Sequence, residues 1–144
     1  MLIDILNQIA EEQKSFDEAP ELPATEAEIL KLKKQIVNDQ SSDIWFSDYA
    51  VFLKIRNGLD YDGLIIYNAN INDENNGFIA ANETWNKNEW EDDYVFFGDS
   101  NFLGIALVRQ KNTFLEWDKP SRDLVNEFST LNGLLESAVR NVLC

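Results

Sequence analysis

Histidine is missing from this 144-residue chain. Its absence removes the side chain that most readily moves protons near neutral pH, and with it Ser-His-Asp and Cys-His machinery. The single cysteine, Cys144, excludes an intrachain disulfide and a cysteine-rich zinc site. Six glycines form neither P-loop nor dinucleotide-binding spacing, so nothing supports nucleotide binding. No apolar run reaches the roughly 18 to 20 residues of a membrane span. The start, "MLIDILNQIAEEQ", lacks the basic region and cleavage site of a secretory signal, so a cytoplasmic protein with no membrane partner is expected.

Basic residues are scarce as well, 12 against 26 acidic ones, for a net charge of -14. A chain so charged repels nucleic acid and attracts basic partners. The imbalance is concentrated. From Asp60 to Asp99 there are ten acids and one base, Lys87, which places -9 of the -14 in this stretch. A solvated surface that keeps the protein soluble is the plain explanation of such charge. Docking of a basic partner is the sharper one.

What is present reads as one domain, residues 1–144, 44% hydrophobic and long enough for a single core. Leu2, Ile5, Leu6, Ile9 and Phe16 lie at helical spacing. After the proline-marked break "EAPELPA", Thr25 and Glu28 make a capping box for a second helix that carries Ile29, Leu32, Ile36 and Val37 and ends near Asn38. Lys31, Lys33 and Lys34 gather toward its C-terminal end, where the helix dipole alone accounts for them. Ser47 is placed to cap a third helix with Tyr49, Phe52, Leu53 and Arg56, which Gly58 ends. Asp60 to Gly63 then reads as a turn into a strand at Leu64 to Tyr67.

Beyond it, "GLIIYN", "GFIAAN", "DYVFFG", "LGIALVR" and "TFLEWD" read as short strands separated by Asn, Asp, Gly and Lys clusters. "QKN", residues 110–112, is the clearest hairpin connection. After Pro120 helical spacing returns, first in a short segment with Leu124, Val125 and Phe128, then in a longer one from Leu131 to Val142. The expected class is α+β, a curved, mostly antiparallel sheet packed against N-terminal and C-terminal helices gathered on one face.

Two acidic motifs invite chemistry. Counted from Asn72, "NDENNGFIAANE" sets Glu74, Asn76, Gly77, Ile79 and Glu83 where a calcium loop wants them, but Asn replaces the first Asp and the flank before it is a strand. "EWEDDY", residues 89–94, offers adjacent carboxylates, which along an extended chain point to opposite faces and specify no reaction. No metal and no cofactor is expected. Aromatics among acids, Trp85 and Trp90, suit the anchors of a protein interface, although both also suit a core.

"YAVFLKIRNGLDYDGLIIY", "FFGDSNFLGIALV" and "FLEWDKPS" together resemble the SUKH superfamily, and within it the YrhA-like branch, from about Leu22 to the end. The most specific part is the helix running into Asn57-Gly58 with Gly63 shortly after, followed by "GDSNFLG", residues 98–104. The resemblance implies an α+β fold and no catalysis. It also implies an immunity protein that binds and neutralises a bacterial toxin of the polymorphic or contact-dependent growth inhibition kind, with nucleases frequent among such toxins. It carries over no toxin-contacting residue, and the motif glycines read as structural. On charge and position alone, the expected contacts are Asp60, Asp62, Asp73, Glu74, Glu89, Glu91, Asp92 and Asp93, with Trp85 and Trp90 as anchors. The partner is then a basic toxin domain bound one-to-one by a monomer. A regulatory interaction module of the same fold, with no toxin partner, is the alternative.

Overall fold

The computed structural model describes residues 1–36, 42–87, 94–108 and 111–143, with the side chains of residues 42–44 left out. Three helices open the chain: α1 (Leu2–Ser15), α2 (Glu26–Gln35) and α3 (Ser42–Ile55). A six-stranded antiparallel sheet follows in simple sequential order: β1 (Leu59–Tyr61), β2 (Leu64–Ile66), β3 (Tyr94–Asp99), β4 (Leu103–Val108), β5 (Thr113–Asp118) and β6 (Leu124–Phe128). Helix α4 (Phe78–Lys87) interrupts it between β2 and β3, and α5 (Leu131–Val142) closes the chain. The expected α+β class is what the chain adopts.

The capping box at Thr25 forms as the sequence predicts: Thr25 Oγ1 accepts from the Glu28 backbone N–H, and Glu28 accepts from that of Thr25. Gly58 sits at φ +83°, the left-handed residue after α3. Beside it, Asn57 Oδ1 accepts from the Ala69 N–H at 2.8 Å while its own N–H donates to the Leu22 carbonyl at 2.8 Å. The Asn-Gly junction therefore ties the segment before α2 to the segment after β2, which is a structural duty.

Four readings of individual segments are corrected. Asp60 and Tyr61 are not turn residues, since they pair with Ile65 and Leu64 in β1. Only Asp62 and Gly63 turn, both with positive φ, which matches the strand twist in a two-residue hairpin. "GFIAAN" is the start of α4 and not a strand. Asparagines at both ends make the run look strand-length, yet Phe78, Ala81 and Trp85 recur at helical spacing once "ETWNK" is included. Leu124 to Phe128 is strand β6 and not a helix. Its residues pair with β5 from Phe114↔Phe128 to Trp117↔Leu124, and an exposed edge strand shows none of the burial alternation that would reveal it. Helix α3 begins at Ser42, five residues before the expected cap at Ser47. The end of α2 is described only as far as Ile36, so Val37 and Asn38 lie outside the described residues.

The helices are not all on one face. Phe97 turns toward Trp45 and Tyr49 of α3, with ring centroids 5.5 and 5.6 Å apart, and joins the main core with Leu107, Phe114 and the buried side of α5. Phe96 turns the other way and stacks on Trp85 of α4 at 5.0 Å. Trp85 also meets Trp117 edge-on at 5.3 Å, so α4 builds a small second core on the opposite face. Asn82 fastens it there. Its carboxamide accepts from the Phe96 N–H and donates to the Phe96 carbonyl, standing in for a neighbouring strand. Gly104 lies under the Trp117 ring, where a Cβ would come within 2.1 Å of the indole.

One buried carboxylate is paired across the main core. Glu116, fully buried, accepts hydrogen bonds from Ser137 at 2.6 Å, Asn141 at 3.4 Å and Asn126 at 3.5 Å, joining β5 to α5 and β6.

Candidate functional site

The α4 face of the sheet carries a cleft of about 240 Å³ lined by Ile65, Tyr67, Asn75, Asn76, Trp85, Asp99 and Lys119, among others. Sheet register places its floor. Asp60 pairs with Ile65, Ile65 with Asp99, Asp99 with Gly104 and Gly104 with Trp117, so these residues form one row across the sheet. Residues directly opposite one another in a ladder point to the same face. Asp60 therefore stands exposed beside the cleft.

A polar network crosses the floor. Trp85 Nε1–H donates to the Tyr67 hydroxyl at 2.8 Å, Tyr67 donates to Asp99 Oδ2 at 2.6 Å, and Lys119 Nζ donates to Asp99 Oδ1 at 2.9 Å. Asp99 is held by both oxygens, and its charge is matched by Lys119. The network orients four side chains from the residue after β2, from α4, from β3 and from the segment after β5. From the core side, Tyr49 donates to the Tyr67 backbone carbonyl at 2.6 Å.

The asparagine-rich loop, residues 68–77, forms one wall. Asp73 Oδ1 accepts from the backbone N–H groups of Asn75 and Asn76 at 2.9 and 3.0 Å, and Oδ2 accepts from Asn68 Nδ2 at 2.9 Å. The Asn76 N–H, then Asn68 and Asn75, hold this carboxyl below its usual range. A parallel bridge between Asn68 and Gly77 closes the loop at its base, and the chain runs directly into α4, where a calcium loop would continue for six more residues. Among the described residues no group of three or more carboxylates is placed to hold a metal ion.

The expected contact residues can now be placed. Asp60 and Asp62 are exposed at the β1–β2 hairpin, Glu74 is exposed on the asparagine-rich loop, and Trp85 lines the cleft. Asp73 is on the same loop, but its carboxylate is engaged in holding the loop's shape. Trp85 is half-buried between Phe96 and Trp117 and presents only part of its surface. Glu89, Trp90, Glu91, Asp92 and Asp93 lie outside the described residues. The sequence reading missed Tyr67, Asp99 and Lys119, which are brought together from positions 32 and 20 residues apart. Local spacing carries no signal for such a cluster.

Three tyrosine hydroxyls are shifted upward. Burial is the largest cause for Tyr49 and Tyr67, with the Asp99 charge adding to it at Tyr67. A hydrogen bond to Glu12 is the largest cause for Tyr61, which is pushed up to about 12. A raised phenol pKa gives stability that is complete below the ordinary value of about 10 and is lost as pH rises through the folded-state values. Tyrosinate absorbance of the native chain should therefore stay low for three of the four tyrosines until well above pH ~10. Ionisation of the buried Tyr49 and Tyr67 should coincide with loss of circular dichroism. Titration of three tyrosines near pH ~10 in the folded state would contradict these placements.

No helix among the described residues is long and apolar enough to cross a membrane. No protein-family model and no curated protein matches the chain.

Proposed function

We propose that this protein is a cytoplasmic, non-enzymatic immunity protein that neutralises a basic bacterial toxin domain, a nuclease by preference, by covering its active site one-to-one. The observation that carries the reading is a set of exposed acids on the elements that border the cleft, Asp60 in the strand row that crosses its floor, Asp62 in the turn of the same hairpin and Glu74 on the loop that forms one wall, within a stretch that holds -9 of the net charge. A nuclease needs a positive cleft for phosphates. An acidic surface is attracted to that cleft from a distance, which raises the association rate, and then competes with the nucleic acid for it. Trp85 presents part of an apolar surface in the cleft, of a residue type enriched among interface anchors.

The test is titration of the C-terminal domain of the protein encoded immediately upstream at low and high salt, with toxicity of that domain in cells as the second readout. A one-to-one complex that weakens with salt is expected. Neutralising Asp60, Asp62 and Glu74 together, as Asp60→Asn, Asp62→Asn and Glu74→Gln, should weaken binding by about tenfold or more at low salt and flatten the salt dependence. No binding at either salt would sink the proposal in favour of a regulatory module without a toxin partner. Unchanged affinity in the triple variant would leave immunity standing but move the contact face elsewhere.

A further inference from the structure

On the other side of the sheet from the acidic cleft, α2 and α3 leave an open groove of about 470 Å³ between them. Ile29 and Leu30 of α2 form one wall, and Phe46, Ala50 and Val51 of α3 form the other. Leu30 is 53% exposed and Val51 52% exposed, values unlike the rest of the apolar side of these two helices. A second depression of about 350 Å³, lined by Met1, Ile3, Ile55 and Glu136 among others, shares Val51 and extends the apolar track toward α1 and α5. The open stripe of α3 runs through Ser47, Ala50, Val51 and Lys54, positions at helical spacing. Ser47 and Ala50 are small, so another backbone can come close.

Charge selects among possible occupants. Three charged side chains line the groove, Glu26, Lys33 and Lys54. Both lysines are exposed, and neither has an ion pair among the described residues, in a chain where acids outnumber bases more than two to one. The helix dipole explains why lysines suit the last turns of α2 and α3. It does not explain an apolar trough left open between them. A groove between two helices, apolar along its floor and with two lysines against one glutamate at its rim, fits the apolar face of a third helix whose flanks are acidic.

We infer that the α2–α3 groove is a docking site for an acidic amphipathic helix of a partner protein, separate from the acidic face and able to be filled at the same time.

The probe is a fluorescein-labelled synthetic helix with leucines at i, i+3, i+4 and i+7 and glutamates flanking them, compared with the same peptide carrying lysines in place of the glutamates. Fluorescence anisotropy should show saturable binding of the acidic peptide, at least tenfold tighter than the basic one. Leu30→Ser with Val51→Ser, both at exposed positions and so mild for folding, should abolish it. Lys33→Glu with Lys54→Glu should reverse the preference between the two peptides, a result that general stickiness cannot give. Equal binding of both peptides, or an unchanged order after charge reversal, would overturn the inference. So would concentration-dependent dimerisation of the chain that Leu30→Ser and Val51→Ser remove, because the groove would then belong to a second copy.

Discussion

Arg56→Ala should destabilise the protein by about 3 kcal/mol and lower its Tm by roughly 6 to 12 °C. Arg56 is 3% exposed and joins three parts of the chain. Its guanidinium donates to Gln13 Oε1 of α1, to Glu21 Oε2 at 3.2 Å and to the Leu6 carbonyl at 3.4 Å. Burial lowers its pKa, and the Glu21 charge and hydrogen bond oppose that shift. Desolvation of the cation outweighs its pairing with Glu21, so the intact pair is not by itself a source of net stability. Removing one member is a different matter, because Gln13 and the Leu6 carbonyl lose their donor and Glu21 its counterion in a nearly dry site. Glu21 is partly exposed, which places the expected effect at the lower end of the range for broken buried pairs. Arg56→Lys should not restore stability, since an ammonium cannot span three acceptors with the planar fork of arginine. Chemical denaturation of the three proteins decides it: a loss under about 1 kcal/mol for Arg56→Ala would show that the guanidinium is not holding α1 to α3.

Gly104→Ala should be about as severe, and it reaches the cleft. The added Cβ would lie 2.1 Å from Cζ2 and 2.2 Å from Cε2 of Trp117, so the indole has to move. Trp117 is itself packed edge-on against Trp85 and Phe96, at 5.3 and 6.3 Å between centroids. Overpacking of this kind typically costs about 1 to 3 kcal/mol, and a rigid ring with no free side puts Gly104→Ala at the upper end. Displacing Trp85 would also stretch its hydrogen bond to Tyr67 and with it the Tyr67–Asp99–Lys119 network. The substitution should therefore weaken partner binding even where the chain remains folded. Trp117→Leu makes room for the new methyl group, so the double variant Gly104→Ala with Trp117→Leu should lose less than the two single losses added together. Strict additivity in that cycle would mean that the glycine is not there to admit the ring.

Much of this architecture is dictated by the sequence over short distances. The capping box at Thr25 and the left-handed Gly58 need only their neighbours, because a side-chain oxygen three residues away and a missing Cβ act locally. The strands β3, β4 and β5 are short runs rich in apolar and aromatic residues, and each forms where that pattern places it. The charge imbalance is likewise a property of composition, and no fold could remove it.

Tertiary structure decided the rest. The strand β6 exists because β5 offers it a ladder, while Leu124, Val125 and Phe128 by themselves have helical spacing. Helix α4 lies on the second face of the sheet because Asn82 caps the Phe96 backbone and Trp85 finds Phe96 and Trp117, partners 11 and 32 positions later in the chain. Asp73 reads as one more surface acid until its carboxylate is seen closing a loop. Tyr67, Asp99 and Lys119 read as unrelated residues until three elements bring them within hydrogen-bond reach. Local pattern specifies elements through dihedral preference and burial period, but a site assembled from distant segments is fixed by packing and register, which one strand or one helix does not carry alone.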